Sequence, residues 1–436
     1  MPTKKSSKHY EVIQKFLNGY AREANEWAHF SERETTLNAE TFVQTLVLGW
    51  LKKRDASLNE LAHCAKDLGL HVTGSALQER MGKEAVMLLA GVLKLALEDL
   101  RKPCPLPIKL LEQFQGIYIT DSSQIALPDA LASIFQGNRD NSMVKLQVTW
   151  DYLHGHLAAL ELEDGKSPDQ NCRLHVSHAQ AGSLQLFDLG YFKQEYLRDI
   201  EAQGVYFVSR YQSQTALYTP EGVKAFDLLA WLKTLAHNEA ECQVLLGGRT
   251  KLSVRLLGRR LCRAAADARR RKAKKKAKEQ GKSCSATYLF LLGWDILVTN
   301  LPVENWSLPQ VFALYPIRFQ IEWLFRIWKD QLGIDELGDW RVERVLCQLY
   351  AHLLGAILTH LLTVTWRWGE YEYSFSKSVQ IIQAAVTGLM RCLARAGWGF
   401  GAWLRRLEED FRAFGRKTKR RKSPSTAQVI YNWGLS

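Results

Sequence analysis

No two of the eight cysteines stand in a C-x2-C pair; Cys64, Cys104, Cys172, Cys242, Cys262, Cys284, Cys347 and Cys392 are scattered along the chain. Neither a zinc ribbon nor a disulfide framework fits that spacing, and reduced thiols are the simpler expectation. An apolar run is also missing after the start Met-Pro-Thr-Lys-Lys-Ser-Ser-Lys, so no secretory signal is expected. The most apolar window, residues 345–366, is interrupted by Gln348, His352 and His360 and flanked by Arg344 and Arg367. This pattern predicts a buried core helix and no membrane partner. Nucleotide-binding glycine loops are absent too: Gly247-Gly-Arg-Thr-Lys lacks the spacing of a phosphate loop, and Gly397-Trp-Gly-Phe-Gly401 is not G-x-G-x-x-G. His154-Gly-His156 has no bulky residue between its rings and no third ligand in view, which argues against relaxase-like chemistry.

What the chain does have is length and positive charge. Its 436 residues, 47% of them apolar, suffice for about three domains with well-formed cores. An excess of 58 Lys+Arg over 45 Asp+Glu gives a formal charge of +13, which favours a polyanionic partner through steering and counterion release. RNA-binding and membrane-surface proteins can share that balance, so charge alone does not choose among them. A soluble, cytoplasmic protein is expected.

Residues 1–105 read as helical. Ser57-Leu-Asn-Glu60 is a capping box opening a helix that closes at Leu68-Gly69, and Ser75-Ala-Leu-Gln78 reads as a second capping box. Two helices joined through Thr73-Gly74-Ser75 fit a helix-turn-helix or a plain helical hairpin. Pro103, Pro105 and Pro107 then mark a linker. Strands are expected over 116–120, ending at Asp121, and over 144–150, 156–162, 184–187 and 205–209, with a helix over 191–202. Beyond them come strand-like segments at 243–246, 251–257 and 288–299, with a turn at Gly247-Gly248. Within that stretch Arg269–Lys278 carries eight cations and no acid, which reads as a solvated loop able to grip phosphates. After Lys329 the chain reads as helical to about residue 415, followed by the basic run Arg416–Lys422.

The most specific pattern is Tyr315-x2-Arg318-x3-Glu322-x6-Lys329. On one helix these four residues fall within an arc of about 60°, backed by an apolar stripe of Ile317, Ile321, Leu324 and Trp328. A carboxylate flanked by cations is suited to phosphodiester chemistry: the acid holds a divalent metal, and the cations hold phosphate oxygens. The plain alternative is an amphipathic helix with solvated i, i+4 ion pairs.

This Y-R-E-K spacing resembles the signature of bacterial DDE insertion-sequence transposases of the "insertion sequence four" type, over roughly residues 35–370. The resemblance implies an α/β fold with a ribonuclease-H-like mixed-sheet core, an N-terminal all-α DNA-binding domain and a strand-rich insertion before the last catalytic helix. The expected divisions are 1–105 (DNA-binding), 106–210 and 306–370 (core), 211–305 (insertion) and 371–436, a helical C-terminal region suited to dimerisation. It also implies two Mg²⁺ or Mn²⁺ ions held by Asp121, Asp188 and Glu322. Both aspartates follow apolar strand-like runs in the family's order, while Asp129, Asp140, Asp151 and Asp295 are weaker competitors. By the same resemblance Tyr315, Arg318, Lys329 and Arg210 would contact the DNA end, and Trp294, 21 residues before Tyr315, would stack on a flipped base. The implied protein is a nucleoid-associated cut-and-paste transposase that pairs double-stranded transposon ends as a homodimer, binds target DNA and passes through a DNA hairpin. A structure-specific nuclease on the same core, or a non-catalytic DNA-binding regulator, stands as the alternative.

Overall fold

The computed structural model of the protein describes residues 4–32, 35–99, 106, 108–178, 180–338, 341–367, 373–418 and 426–433. Pro103, Pro105, Pro107 and most of the basic run after Arg416 lie outside the described residues. The chain divides into two compact units: residues 1–107, 121–167 and 321–423 form unit 1, and residues 108–120, 168–320 and 424–436 form unit 2.

In unit 1 the helices are α1 (Lys4–Gln14), α2 (Tyr20–Ala28), α3 (Ala39–Lys52), α4 (Leu58–Ala65), α5 (Gly74–Arg80), α6 (Lys83–Asp99), α13 (from Gln320 to Asp330), α14 (Val342–Arg367), α15 (Phe375–Ala394) and α16 (Phe400–Phe414). Helix α3 packs against both α14 and α15, and α6 packs against α14. The apolar helix α14 therefore finds its cover inside the protein: its most apolar window, within Val342–Val364, is 89% buried. The expected capping box at Ser57 is present, with Ser57 and Glu60 each bonding the other's backbone N–H. The second cap differs. Thr73, not Ser75, caps α5 by accepting from the Ala76 N–H, because the helix already begins at Gly74. Strands β2 (Met143–Asp151) and β3 (His156–Asp164) form an antiparallel hairpin beside the second half of β1 (Ile117–Ala126).

Unit 2 carries a mixed sheet in the order β1-β4-β5-β9-β8-β7-β6. Its further strands are β4 (Leu184–Phe187), β5 (Tyr206–Arg210), β6 (Leu217–Tyr218), β7 (Glu239–Leu246), β8 (Leu252–Arg260) and β9 (Trp294–Thr299). The first half of β1 pairs parallel with β4, and β4 parallel with β5. Strand β9 then runs antiparallel to β5, so the strands of the expected insertion continue the same sheet. The helices here are α7 (Leu174–Ser177), α8 (Gln194–Ala202), α9 (Leu228–Thr234), α10 (Arg263–Glu279), α11 (Ala286–Leu291), α12 (Leu308–Leu314) and α17 (Thr426–Trp433).

Three further expectations about local structure need correction here. The run Arg269–Lys278 is helical, within α10, and not a loop: alanines 266, 273 and 277 give the helix an inner edge, with Ala266 4% exposed. Residues 286–291 are helical, capped by Ser285, so only Trp294–Thr299 of the expected 288–299 strand is extended. Finally, β1 does not end at Asp121 but runs on through Ser122-Ser-Gln to Ala126, since it lies beside the long strand β2.

Candidate active site

The Y-R-E-K residues occupy two helical pieces. Tyr315–Phe319 is a 3₁₀ turn with Pro316 in its first positions, and α13 starts at Gln320. The single continuous α-helix expected from the spacing is therefore interrupted: proline has no N–H to donate, and the tighter turn precedes α13. The apolar stripe is as expected, with Ile317, Ile321, Leu324 and Trp328 at most 2% exposed.

Within unit 2 the first half of the signature closes around the end of β4. The Tyr315 hydroxyl donates to the Phe187 carbonyl at 3.0 Å, and Phe187 immediately precedes Asp188. Arg318 is buried with its Nη2 3.9 Å from Asp188 Oδ1, while the Asp188 side chain stays 36% exposed. The Asp188 carboxylate is thus backed by a buried guanidinium on one side and open to solvent on the other, which leaves it able to accept a ligand. Arg210, the last residue of β5, places its guanidinium 5.7 Å from the Tyr315 ring centroid. Burial pushes the Tyr315 phenol up to about 12 against the pull of Arg210 and Arg318, so it remains a neutral donor. Behind Asp188, buried His175 packs edge-on against Phe187, Tyr191 and Tyr196, and burial lowers its pKa to about 4.

Within unit 1, Asp121 is half-buried and its Oδ1 accepts the Ser122 N–H at 2.9 Å. Lys329 donates to the Gln124 carbonyl at 2.8 Å, which ties α13 to the strand that bears Asp121. Glu322 is exposed on α13, next to Trp323, whose ring lies 4.7 Å from the Arg326 guanidinium.

Trp294 opens β9 and is only 5% exposed; Arg260 covers its ring at 4.8 Å, and its carbonyl accepts from Arg269. Among the competing acids, Asp151 is engaged by His154 at 2.6 Å and Asp295 by Arg269 at 2.7 Å, while Asp129 starts a 3₁₀ turn. Two partners were not foreseen. Gln124 acts through its backbone carbonyl, which leaves no side-chain signal in sequence, and His175 is a lone histidine whose role as aromatic backing depends on tertiary packing.

Residues 112–358, more than half of the chain, match the family described as "Transposase DDE domain". Curated relatives agree. The transposase for insertion sequence element IS231F of Bacillus thuringiensis subsp. israelensis is 27% identical over 377 residues, covering 80% of this chain and 77% of the relative. The transposase for insertion sequence element IS1151 of Clostridium perfringens is 25% identical over 273 residues, 58% of each chain. A solved structure, the cryo-EM structure of the piggyBac transposase synaptic complex with hairpin DNA, is 10% identical with a TM-score of 0.45, covering 98% of this chain and 89% of that one. The chain belongs to the DDE transposase family, among bacterial insertion-sequence transposases of the "insertion sequence four" type, and is a DNA-cleaving and strand-transfer enzyme.

Proposed function

We propose that the protein excises and reinserts a DNA element by cut-and-paste, with Asp121, Asp188 and Glu322 as the metal-binding acids. The observation that carries this reading is the seating of Tyr315 and Arg318 against Phe187 and Asp188, which joins the signature to one of the three proposed acids. The donor set fits the proposed cofactor, since three carboxylates are the hard oxygen ligands that Mg²⁺ or Mn²⁺ prefers. Two such ions would lower the barrier by activating the attacking oxygen and neutralising the leaving one.

The side chains divide the remaining work. Arg318 lies against the Asp188 carboxylate, and Tyr315 fixes the backbone just before it. Lys329, Arg318 and Arg210 neutralise phosphates next to the scissile bond. A water oxygen attacks the phosphorus at the element's end, and the bond to the 3′ oxygen breaks as that oxygen takes a proton. The new 3′ hydroxyl attacks the opposite strand, giving a hairpin and freeing the flanking DNA. Water reopens the hairpin, and the 3′ hydroxyl then attacks target DNA. Trp294 would stack on a base flipped from the hairpin tip, once the Arg260 cover moves from its ring. Two copies of the chain would pair the two ends, and the helix-turn-helix candidate α4–α5 would read them. The ribonuclease-H-like core, the five-part division and a place at the nucleoid belong to the same proposal; parallel β1-β4-β5 pairing supports the core.

The test is a cleavage assay on end-labelled DNA resolved on a denaturing gel. Asp121→Asn, Asp188→Asn and Glu322→Gln should each abolish nicking while leaving DNA binding largely intact, and cleavage within about tenfold of wild type by any of them would remove that residue from the site. In the same assay Trp294→Ala should nick normally but lower hairpin product by one to two orders of magnitude, the loss of a stacking contact of about 1–3 kcal/mol. A wild type that nicks and never forms hairpins would favour plain nuclease chemistry.

A further inference from the structure

The hairpin turn between β2 and β3 gathers a second set of metal-ligating side chains. Asp151 ends β2 and pairs across the hairpin with His156, the first residue of β3. Its Oδ1 accepts the backbone N–H groups of Leu153 and His154 at 3.0 and 3.3 Å. Its Oδ2 lies 2.6 Å from His154 Nδ1 and 3.9 Å from His156 Nδ1. Gly155, at φ +77°, supplies the left-handed turn between the two histidines, whose ring centroids are 6.1 Å apart. One ligand atom from each of the three residues lies within 4.8 Å of the others. Asp151 thus stands where a third ligand beside His154-Gly-His156 would be needed, which the sequence alone did not reveal.

We propose that Asp151, His154 and His156 bind one zinc-class transition-metal ion that braces the β2–β3 hairpin, in addition to the Mg²⁺-type site of the three proposed acids. Two imidazole nitrogens and a carboxylate are the donors such ions select, whereas Mg²⁺ prefers an all-oxygen shell. Four ligands about 2.0–2.1 Å from a zinc ion stand about 3.3 Å apart, and the separations of 2.6 and 3.9 Å bracket that value. The carboxylate is 1% exposed and held by two backbone donors, while the histidines are 15% and 13% exposed, leaving an opening for a water as fourth ligand. Outer support is present as well: His360 of α14 donates through Nε2 to the carbonyl of Gly155, the residue between the two ligating histidines. Binding would replace one Asp–His hydrogen bond by three metal–ligand bonds across the hairpin.

The experiment uses the full chain, stripped with a chelator and dialysed against Zn²⁺ or Co²⁺ with excess Mg²⁺ present to compete at all-oxygen sites. Metal content is measured by atomic emission, and Co²⁺ geometry by its visible absorption. About one Zn²⁺ per chain is expected, with the intense Co²⁺ bands of a four-coordinate site and a raised melting midpoint. His154→Ala and His156→Ala should lose all three, while Asp188→Asn keeps them. Wild type without bound zinc, zinc retained by both histidine variants, or zinc lost with Asp188→Asn would overturn the proposal. If circular dichroism shows that the histidine variants do not fold, the wild-type Co²⁺ spectrum decides: only weak six-coordinate bands would refute the site. No readout involves DNA, so failure here leaves the proposed transposition chemistry untouched.

Discussion

Lys329 and Arg318 differ in how much of their work is done inside the protein. Lys329 is half-buried and bonded to the Gln124 carbonyl, so it can hold a phosphate only with the N–H donors left over. Lys329→Ala should weaken binding to end DNA and flatten the salt dependence by about one unit of slope, with cleavage reduced but not abolished. Arg318 is 4% exposed and set against Asp188. Arg318→Ala should therefore also raise the Mg²⁺ concentration needed for cleavage, because Asp188 loses the side chain that positions its carboxylate. Titrations of DNA binding against salt, and of cleavage against Mg²⁺, check the two outcomes. An Arg318→Ala protein with an unchanged Mg²⁺ requirement would limit that residue to phosphate contact.

At the level of elements, α5 offers the sharper test of end recognition. Removing residues 1–105 would open the core formed by α3 and α6 against α14 and α15, so substitutions must replace truncation. Ser75 and Gln78 are exposed on α5 and contribute nothing to that core. Ser75→Ala with Gln78→Ala should cut the preference for end DNA over random DNA by about tenfold or more, given about 1–3 kcal/mol per specific base contact. Equal preference after both changes would leave α4–α5 as a plain helical hairpin. How much could be read beforehand depended on local periodicity. Strand β4, the Ser57 capping box and the buried α14 were legible because apolar spacing or cap chemistry decided them. The continuation of β1 past Asp121 was not, since Ser122-Ser-Gln has no apolar alternation and extends as a strand by pairing with neighbours. The break in the signature came from Pro316, whose effect a pattern of four spaced residues conceals. The seating of Arg318 against Asp188 spans 130 positions of sequence and appears only in the fold.

For the molecule as a whole, acid is the predictable weakness. His352 and His360 in unit 1 and His175 in unit 2 are buried, and desolvation lowers each pKa to about 4, against about 6.5 in an unfolded chain. The unfolded state therefore takes up protons first as pH falls. The stability from keeping these rings neutral is complete above about pH 6.5 and is lost progressively towards pH 4, on the order of 3 kcal/mol per histidine. Urea midpoints should fall across that window, and His352→Gln should make the fall shallower. A midpoint that stays flat from pH 6.5 to 4 would contradict the burial of all three rings.

Helix α10 bears on how such a protein finds its sites. Arg271, Lys272, Lys274, Lys275, Lys276 and Lys278 are exposed along it; were they to grip phosphates, a hold on DNA that comes from released counterions would be the same at every base pair. A grip indifferent to sequence costs little to shift from one phosphate to the next. A chain held this way can diffuse along a duplex in one dimension, and ionic strength sets how far each such excursion runs before the protein returns to bulk solution.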